Sequence, residues 1–367
     1  VAEGFEKYAA KYRIDPQTGK NNYISVQAED ELAAVGMAIG ANWNGARGFT
    51  ATSGPGISLM SEFLGLAYFA EVPLVVFNIQ RGGPSTGMPT RTQQSDILSC
   101  AYASHGDTKH ILLFPEDPQE CFEFSAEAFN LAERLQTPVF VISDLDIGMN
   151  DWVTDKFEWD DEKKYDRGKV LNAEDLDKMD NFGRYLDIDD DGICYRTYPG
   201  THPEKGAFFT RGTSHDEYAR YTENGDINEQ TLTRLVKKFR TASELVPNPI
   251  IDLSDKQGSS GVIFYGSTSA AMYEAKDILN KNNIEVDLMR IRSFPFNLDV
   301  WEFIENHDLI YVIEQNRDSQ MRTLIMAEGG ISAEKLRSLV WFNGDPIQAK
   351  FIAKKIYERE SQQALIT

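Results

Sequence analysis

The 367 residues carry 57 acidic against 37 basic side chains, a formal charge of −20, with 41% hydrophobic and 26% charged residues. That length suffices for two to three domains with cores of their own, and the acidic balance, with no concentrated basic stripe, argues against a nucleic-acid surface. No apolar run approaches the ~20 residues of a spanning helix, which argues against a membrane protein.

The opening stretch, VAEGFEKYAAKYRID, is charged and amphipathic, unlike a signal peptide. In chain order, 23-YISVQA-28, 48-GFTATS-53, 72-VPLVVFNI-79, 109-KHILLF-114 and 138-PVFVIS-143 are apolar runs of strand length. Between them, 29-EDELAAVGMAIGANW-43 carries Leu32, Val35, Ile39 and Trp43 at helical spacing, and 117-DPQECFEFSAEAFNLAERL-135 predicts another helix. Strand and helix alternating at this interval imply an α/β, doubly wound, mainly parallel sheet over residues 1–150. From 151 to 258 acidic clusters, aromatics and turn residues read as a connector that folds over the first domain, with one helix near 228–245. A second alternating unit occupies 259–367, with strands at 261–266, 284–291 and 309–314 and helices at 269–283, 298–307 and 318–328.

Three stretches carry candidate chemistry. In 26-VQAEDE-31 the predicted strand passes into a helix with three carboxylates in its first turn. Dipole complementarity accounts for such a turn, but Glu29 falls at the strand's carboxyl end, where a doubly wound fold places its ligand and where a partly desolvated carboxyl can stay protonated. Glu31, further along, is the weaker candidate. The turn 52-TSGPG-56 is either a tight connection or a helix start whose amides face a ligand. The segment 81-RGGPSTGMPTRTQQSD-96, with three glycines, two prolines and two arginines, is far longer than a connection requires. Arg81 follows the strand directly, and its planar fork suits a carboxylate.

Other features favour ordinary readings. Cys100, Cys121 and Cys194 show no metal-ligand spacing, fit a reducing cytoplasm, and cannot supply four ligands to an iron–sulfur cluster. The run 187-DIDDDG-192 begins like a calcium loop, but Tyr198 stands where a bidentate glutamate is required, so an Asp-rich turn is expected. His215 and His105 read as hydrogen-bonding groups. Ser267 and Ser269, after a predicted strand, read as helix caps, with a subunit contact as plausible there as a ligand.

Taken together, QAEDE, ATSGPG, NIQRGGPSTGMPTRTQQSD, RGTSHDE and IEQN resemble the α subunit of 2-oxoacid:ferredoxin oxidoreductases, particularly the 2-oxoglutarate type, from about residue 23 to 325, thinning in the acidic connector. The resemblance implies a thiamine-diphosphate pyrimidine-binding domain followed by a transketolase C-terminal-like domain. It also implies CoA-dependent oxidative decarboxylation of 2-oxoglutarate to succinyl-CoA, reversible as reductive carboxylation, with electrons passed through iron–sulfur clusters to ferredoxin. Glu29 would hydrogen-bond the pyrimidine nitrogen and favour the tautomer that deprotonates the thiazolium carbon. Ser53 and Gly54 would contact the cofactor, and Arg81 would bind the substrate carboxylate with Thr86 beside it. Arg91 could take a distal carboxylate.

The GDG-plus-asparagine signature for diphosphate and magnesium is missing here. Diphosphate, Mg2+ and a 4Fe–4S cluster are therefore expected on a β subunit, in a dimer of αβ heterodimers, with no metal on this chain. Pyruvate or a branched-chain oxoacid is the alternative substrate, and a non-catalytic scaffold subunit the alternative role. The family's Tyr-Pro-Ile-Thr-Pro-like segment, whose threonine helps to bind substrate, has no counterpart. An N-terminal portion, with a further domain as in fused members, is expected upstream.

Overall fold

The computed structural model describes residues 1–160, 162, 165–255 and 260–364. The N-terminal elements are α1 (Ala2–Tyr12), α2 (Glu31–Trp43), β1 (Phe49–Thr52), α3 (Gly54–Phe69), β2 (Leu74–Gln80), α4 (Ile97–Ala101), β3 (Ile111–Leu113), α5 (Pro118–Leu135) and β4 (Pro138–Asp144). Next come α6 (Leu145–Met149), α7 (Ala173–Asp177) and α8 (Gly225–Ser243). The C-terminal elements are β5 (Ile250–Asp252), β6 (Ser260–Tyr265), α9 (Thr268–Asn280), β7 (Val286–Ile291), β8 (Ser293–Phe294), α10 (Leu298–Glu305), β9 (Ile310–Glu314), α11 (Gln320–Gly329), β10 (Leu336–Val340) and α12 (Ala349–Ala364).

These elements build two sheets, β1-β2-β4-β3-β8 and β10-β9-β6-β7-β5. All pairs are parallel except β3 with β8 and β5 with β7. The uninterrupted apolar runs of β2 and β4 are buried on both faces, as strands in a parallel sheet must be when helices cover each side. Leu74 and Val76 face a core made with α2 and α3, while Val75 and Phe77 face α5 through Phe124, Ala128, Leu131 and Leu135. Asp117 caps α5 by accepting from Glu120 N at 2.8 Å, and the left-handed Gln136 (φ 50°) ends it.

One expected strand is not there. Residues 23–28 form no ladder, and Ile24 and Val26 are 84% and 62% exposed. The alternation in YISVQA is real, but it finds neither a neighbouring strand nor a covering face, so β1 is the edge of its sheet. Parts of the segment following β4 lie against the first sheet. Its α8 packs Ala242 against the α5 side of the sheet, and Arg184 and Tyr185 donate to the carbonyls of Glu71 and Ala70 at 2.9 and 3.2 Å. The connector boundary expected at 258–259 lies outside the described residues.

The two sheets are interlocked. From beyond β7, Ser293 and Phe294 pair with Leu113 and Leu112 on the edge strand of the first sheet. Buried Arg290 of β7 grips Glu120 of α5 with two hydrogen bonds, 2.6 and 2.8 Å. Side chains of both sheets, Phe140 and Ile142 with Tyr265 and Met289 among them, share one apolar core.

Candidate active site

Where β1 and β2 end, they meet the start of α3 and the segment 81–96. Gly54 opens α3, and a Cβ there would lie 2.9 Å from Asp96 Oδ1, so the Asp96 carboxyl rests against the helix's first residue. Asn78 Nδ2 donates to Asp96 Oδ2 at 3.1 Å, and Asp96 N donates to Gln80 Oε1 at 3.0 Å. Burial pushes the Asp96 carboxyl up, opposed by the Asn78 hydrogen bond and the charge of Arg81. Arg81 itself is half-buried and forms no ion pair among the described residues, and its Nε lies buried without a hydrogen-bond partner. A guanidinium in that condition is a ready carboxylate receptor.

The segment closes on itself just past Arg81. Gly82 N donates to Arg91 O at 2.8 Å and Met88 N to Gly82 O at 2.8 Å. Gly87 has φ +49°, and a Cβ on it would come within 2.1 Å of Gly82 O. Glycine is thus required at 87 both for conformation and for room. Thr86 lies exposed at the tip. Arg91 pairs with Asp345 of the C-terminal part at 3.0 Å, both side chains being more than half exposed. The pair is weak enough to exchange for a ligand, but it does not leave Arg91 free in the manner of Arg81.

The carboxylates at the start of α2 are arranged differently from expectation. Asp30 is the N-cap, accepting from Ala33 N at 2.7 Å, which leaves Glu29 ahead of the helix, exposed, and not at the end of any strand. Glu31 is half-buried instead. A Cβ on Gly56 would lie 2.8 Å from Glu31 Cγ and 1.9 Å from Thr52 Oγ1, so Glu31 packs against the junction of β1 and α3. Ser53 precedes α3 without capping it, and its hydroxyl has no partner among the described residues. Asp96 and Asn78 escaped the sequence reading because Asn78 sits inside an apolar run; an amide buried in a strand was the available signal.

Other candidates are structural. His215 is fully buried, its Nδ1 3.0 Å from Thr213 O and its ring 3.9 Å from that of Tyr185, and burial pulls its pKa down. In the Asp-rich turn, Asp187 accepts from Asp191 N and Gly192 N at 3.2 and 2.9 Å, and Asp189 and Asp191 pair with Lys169. Ser267 stands at the N-cap position of α9, but its side chain makes no capping bond: it donates to Asp144 Oδ2 at 2.6 Å, and Ser269 donates to Gly266 O at 2.8 Å. Burial pushes the Cys121 and Cys194 thiols up to about 12, which removes them as nucleophiles at neutral pH. Among the described residues no group of three His, Cys, Asp or Glu could hold a metal ion, and no helix is long and apolar enough to cross a membrane.

The sequence profile described as pyruvate flavodoxin/ferredoxin oxidoreductase, thiamine diphosphate-binding, matches residues 1–241. The chain belongs to this family. A relative from Aeropyrum pernix, 2-oxoacid:ferredoxin oxidoreductase 2, subunit alpha, is 34% identical over 93% of this chain and 53% of its own length. The 2-oxoglutarate synthase subunit KorA of Methanothermobacter thermautotrophicus is 33% identical over 84% of this chain and 83% of its own length. A solved 2-oxoglutarate:ferredoxin oxidoreductase from Magnetococcus marinus, with 2-oxoglutarate, coenzyme A and succinyl-CoA bound, superposes with a TM-score of 0.84 at 28% identity, covering 97% of this chain and 60% of that one. The chain thus spans about half the length of the 2-oxoacid:ferredoxin oxidoreductase α subunits it matches. Glu29, Glu31, Ser53, Gly54, Asn78, Arg81, Thr86, Arg91 and Asp96 all fall inside the segment that carries the oxidoreductase family's thiamine diphosphate-binding profile.

Proposed function

We propose that this chain is the α component of a thiamine-diphosphate-dependent 2-oxoacid:ferredoxin oxidoreductase, with 2-oxoglutarate and CoA as substrates. The observation that carries the reading is Arg81: a guanidinium at the carboxyl end of β2 that forms no ion pair among the described residues, its Nε buried without a partner among them, beside the start of α3. Arg81 would take the carboxylate next to the keto group as a bidentate pair. Thr86 would close over the substrate from the loop tip, and Arg91 would meet the distal carboxylate after exchanging Asp345 for it. Pyruvate and branched-chain oxoacids lack that second group, so Arg91 is where the choice between substrates would lie.

The residues present fit the aminopyrimidine end of the cofactor. Gly54 and Gly56 lie where no Cβ can be accommodated without displacement, the Ser53 hydroxyl has no partner among the described residues, and carboxylates stand at 29 and 31. When bound, thiamine diphosphate would supply the nucleophilic carbon and the electron sink for decarboxylation. Glu29 would hold the ring nitrogen through its proton. Being exposed on this chain, it needs a second polypeptide to exclude water from it, and the uncovered Ile24 and Val26 beside it offer the apolar surface for one. A β subunit, in a dimer of αβ heterodimers, would bring diphosphate, Mg2+ and the 4Fe–4S cluster, with ferredoxin as electron acceptor. The half-buried place of Glu31 against β1 and α3 favours a second reading, in which Glu31 rather than Glu29 holds the ring.

The test is purification of the full-length chain with its native partner, then CoA-dependent reduction of ferredoxin with 2-oxoglutarate, pyruvate and branched-chain oxoacids. Arg81→Ala is expected to raise the oxoacid KM about ten- to hundredfold, the loss of a charged hydrogen-bond pair. An unchanged KM removes Arg81 from the site. Comparing Glu29→Gln with Glu31→Gln in the assembled complex assigns the ring-holding carboxylate to whichever variant loses turnover.

A further inference from the structure

In the sheet β10-β9-β6-β7-β5 the winding reverses at β6, with β7 on one side and β9 on the other. Open α/β sheets bind ligands in the crevice outside the strand ends at such a switch point. Here the crevice holds a side chain from the other sheet's own loop. Gln94 is 1% exposed. Its Oε1 accepts from Thr268 Oγ1 and Gln315 N, both at 3.2 Å, while Nε2 faces Tyr265 O, Asp144 Oδ2 and Ser267 Oγ at 3.3, 3.4 and 3.5 Å. Its backbone N–H donates to Gln315 O at 2.8 Å, and its carbonyl accepts from Asn316 Nδ2 at 2.9 Å. Gly266, with φ +58°, permits this approach: a Cβ there would lie 3.0 Å from Gln94 Nε2. Both ends of the amide and both backbone groups are therefore satisfied, as a fixed buried group requires.

Residues flanking Gln94 also bracket Arg81. Gln80, just before the arginine, accepts from Asp96 N at 3.0 Å; Gly82 and Gly83, just after it, donate to Arg91 O at 2.8 Å and Gln93 Oε1 at 3.1 Å. The exposed tip of the loop thus stands on a buried stem whose anchor is in the C-terminal sheet. We propose that Gln94 is a positioning residue for Arg81, occupying the switch-point crevice of the C-terminal sheet in place of a ligand and so fixing the guanidinium's position. The inference rests on the reading of Arg81 as the carboxylate receptor and deepens it, giving the C-terminal sheet a part in oxoacid binding. Displacement of a binding group by even 1 Å costs about a hundredfold in rate, so the anchor's loss is expected in substrate kinetics more than in folding.

The experiment uses the full-length chain assembled with its partner. Gln94→Ala is expected to raise the oxoacid KM about tenfold while leaving the KM for CoA unchanged. In an Arg81→Lys background the same substitution is expected to cost much less, because residues acting through one group are not additive. Full additivity, or an unchanged oxoacid KM, overturns the positioning role. Thr268→Val serves if Gln94→Ala does not assemble: it removes one hydrogen bond to Gln94 from α9 at nearly constant volume, and a raised oxoacid KM with unchanged CoA KM supports the proposal whereas no change sinks it. Should Arg81→Lys leave the oxoacid KM untouched, the functional reading of Arg81 itself fails, and the positioning role with it.

Discussion

At the turn between α3 and β2, Glu71 (φ 55°) carries a carboxylate with no exposure to solvent. It accepts from both terminal nitrogens of Arg234, at 3.1 and 2.5 Å, and from Lys238 Nζ at 2.8 Å. Burial alone would push this carboxyl up, but the charges of Arg234, Lys238 and Arg184 hold it far below its ordinary 4.5. Because the folded-state value is depressed, the ionised group contributes its stability fully above about pH 4.5, and that contribution is lost as the pH falls towards and through the folded value. Glu71→Gln should destabilise the chain by about 3–5 kcal/mol at neutral pH, since it strands buried cations. Urea midpoints of variant and parent should converge as the pH is lowered below 4; a gap independent of pH would refute the ion-pair account. Nothing in 68-YFAEVP-73 marks this residue, because only the fold reveals that a helix 163 positions later, at Arg234, supplies its partners.

Among the elements, segment 81–96 divides into an exposed tip and a buried stem. Gly87→Ala would force a Cβ to within 2.1 Å of Gly82 O and add strain at φ +49°. The tip is exposed, so thermal stability should change little, while the oxoacid KM should rise about tenfold or more. A large fall in melting temperature with unchanged KM would show the tip to be structural instead. The candidacy of this segment was legible from its length, glycines and arginines. Its anchoring was not, since Gln94 in TQQSD is chemically ordinary until the second sheet supplies Gln315, Thr268 and Asn316 around it.

The long strands were legible for a related reason: continuous Val, Leu, Ile and Phe have nowhere to go but a sheet covered on both faces, hence β2, β4, β7 and β9 lie close to where the sequence put them. Elements defined by distant pairing were missed. Exposed β5 and two-residue β8 have no pattern of their own, and YISVQA has the right pattern without a neighbour. Within the candidate site, Arg81 directly follows β2, as its place after a predicted strand implies, whereas nothing in the run EDE marks Asp30 as the cap that decides how the chain enters α2 and leaves Glu29 ahead of the helix.

On the scale of the whole molecule, the sharing of one core by both sheets predicts cooperative unfolding. Amide exchange from β2 and from β6 should report the same opening free energy, within about 1 kcal/mol. Early release of the β6, β7 and β9 amides with β2 and β4 still protected would mean the sheets open separately. The pairing of Ser293 and Phe294 with β3 has a practical corollary for anyone dividing the polypeptide. A fragment ending near residue 258 would lose the strand that covers Leu112 and Leu113, presenting unpaired backbone and apolar side chains at an open margin. Such a truncation should self-associate or accumulate as insoluble material, however complete its own alternation of strands and helices looks on paper.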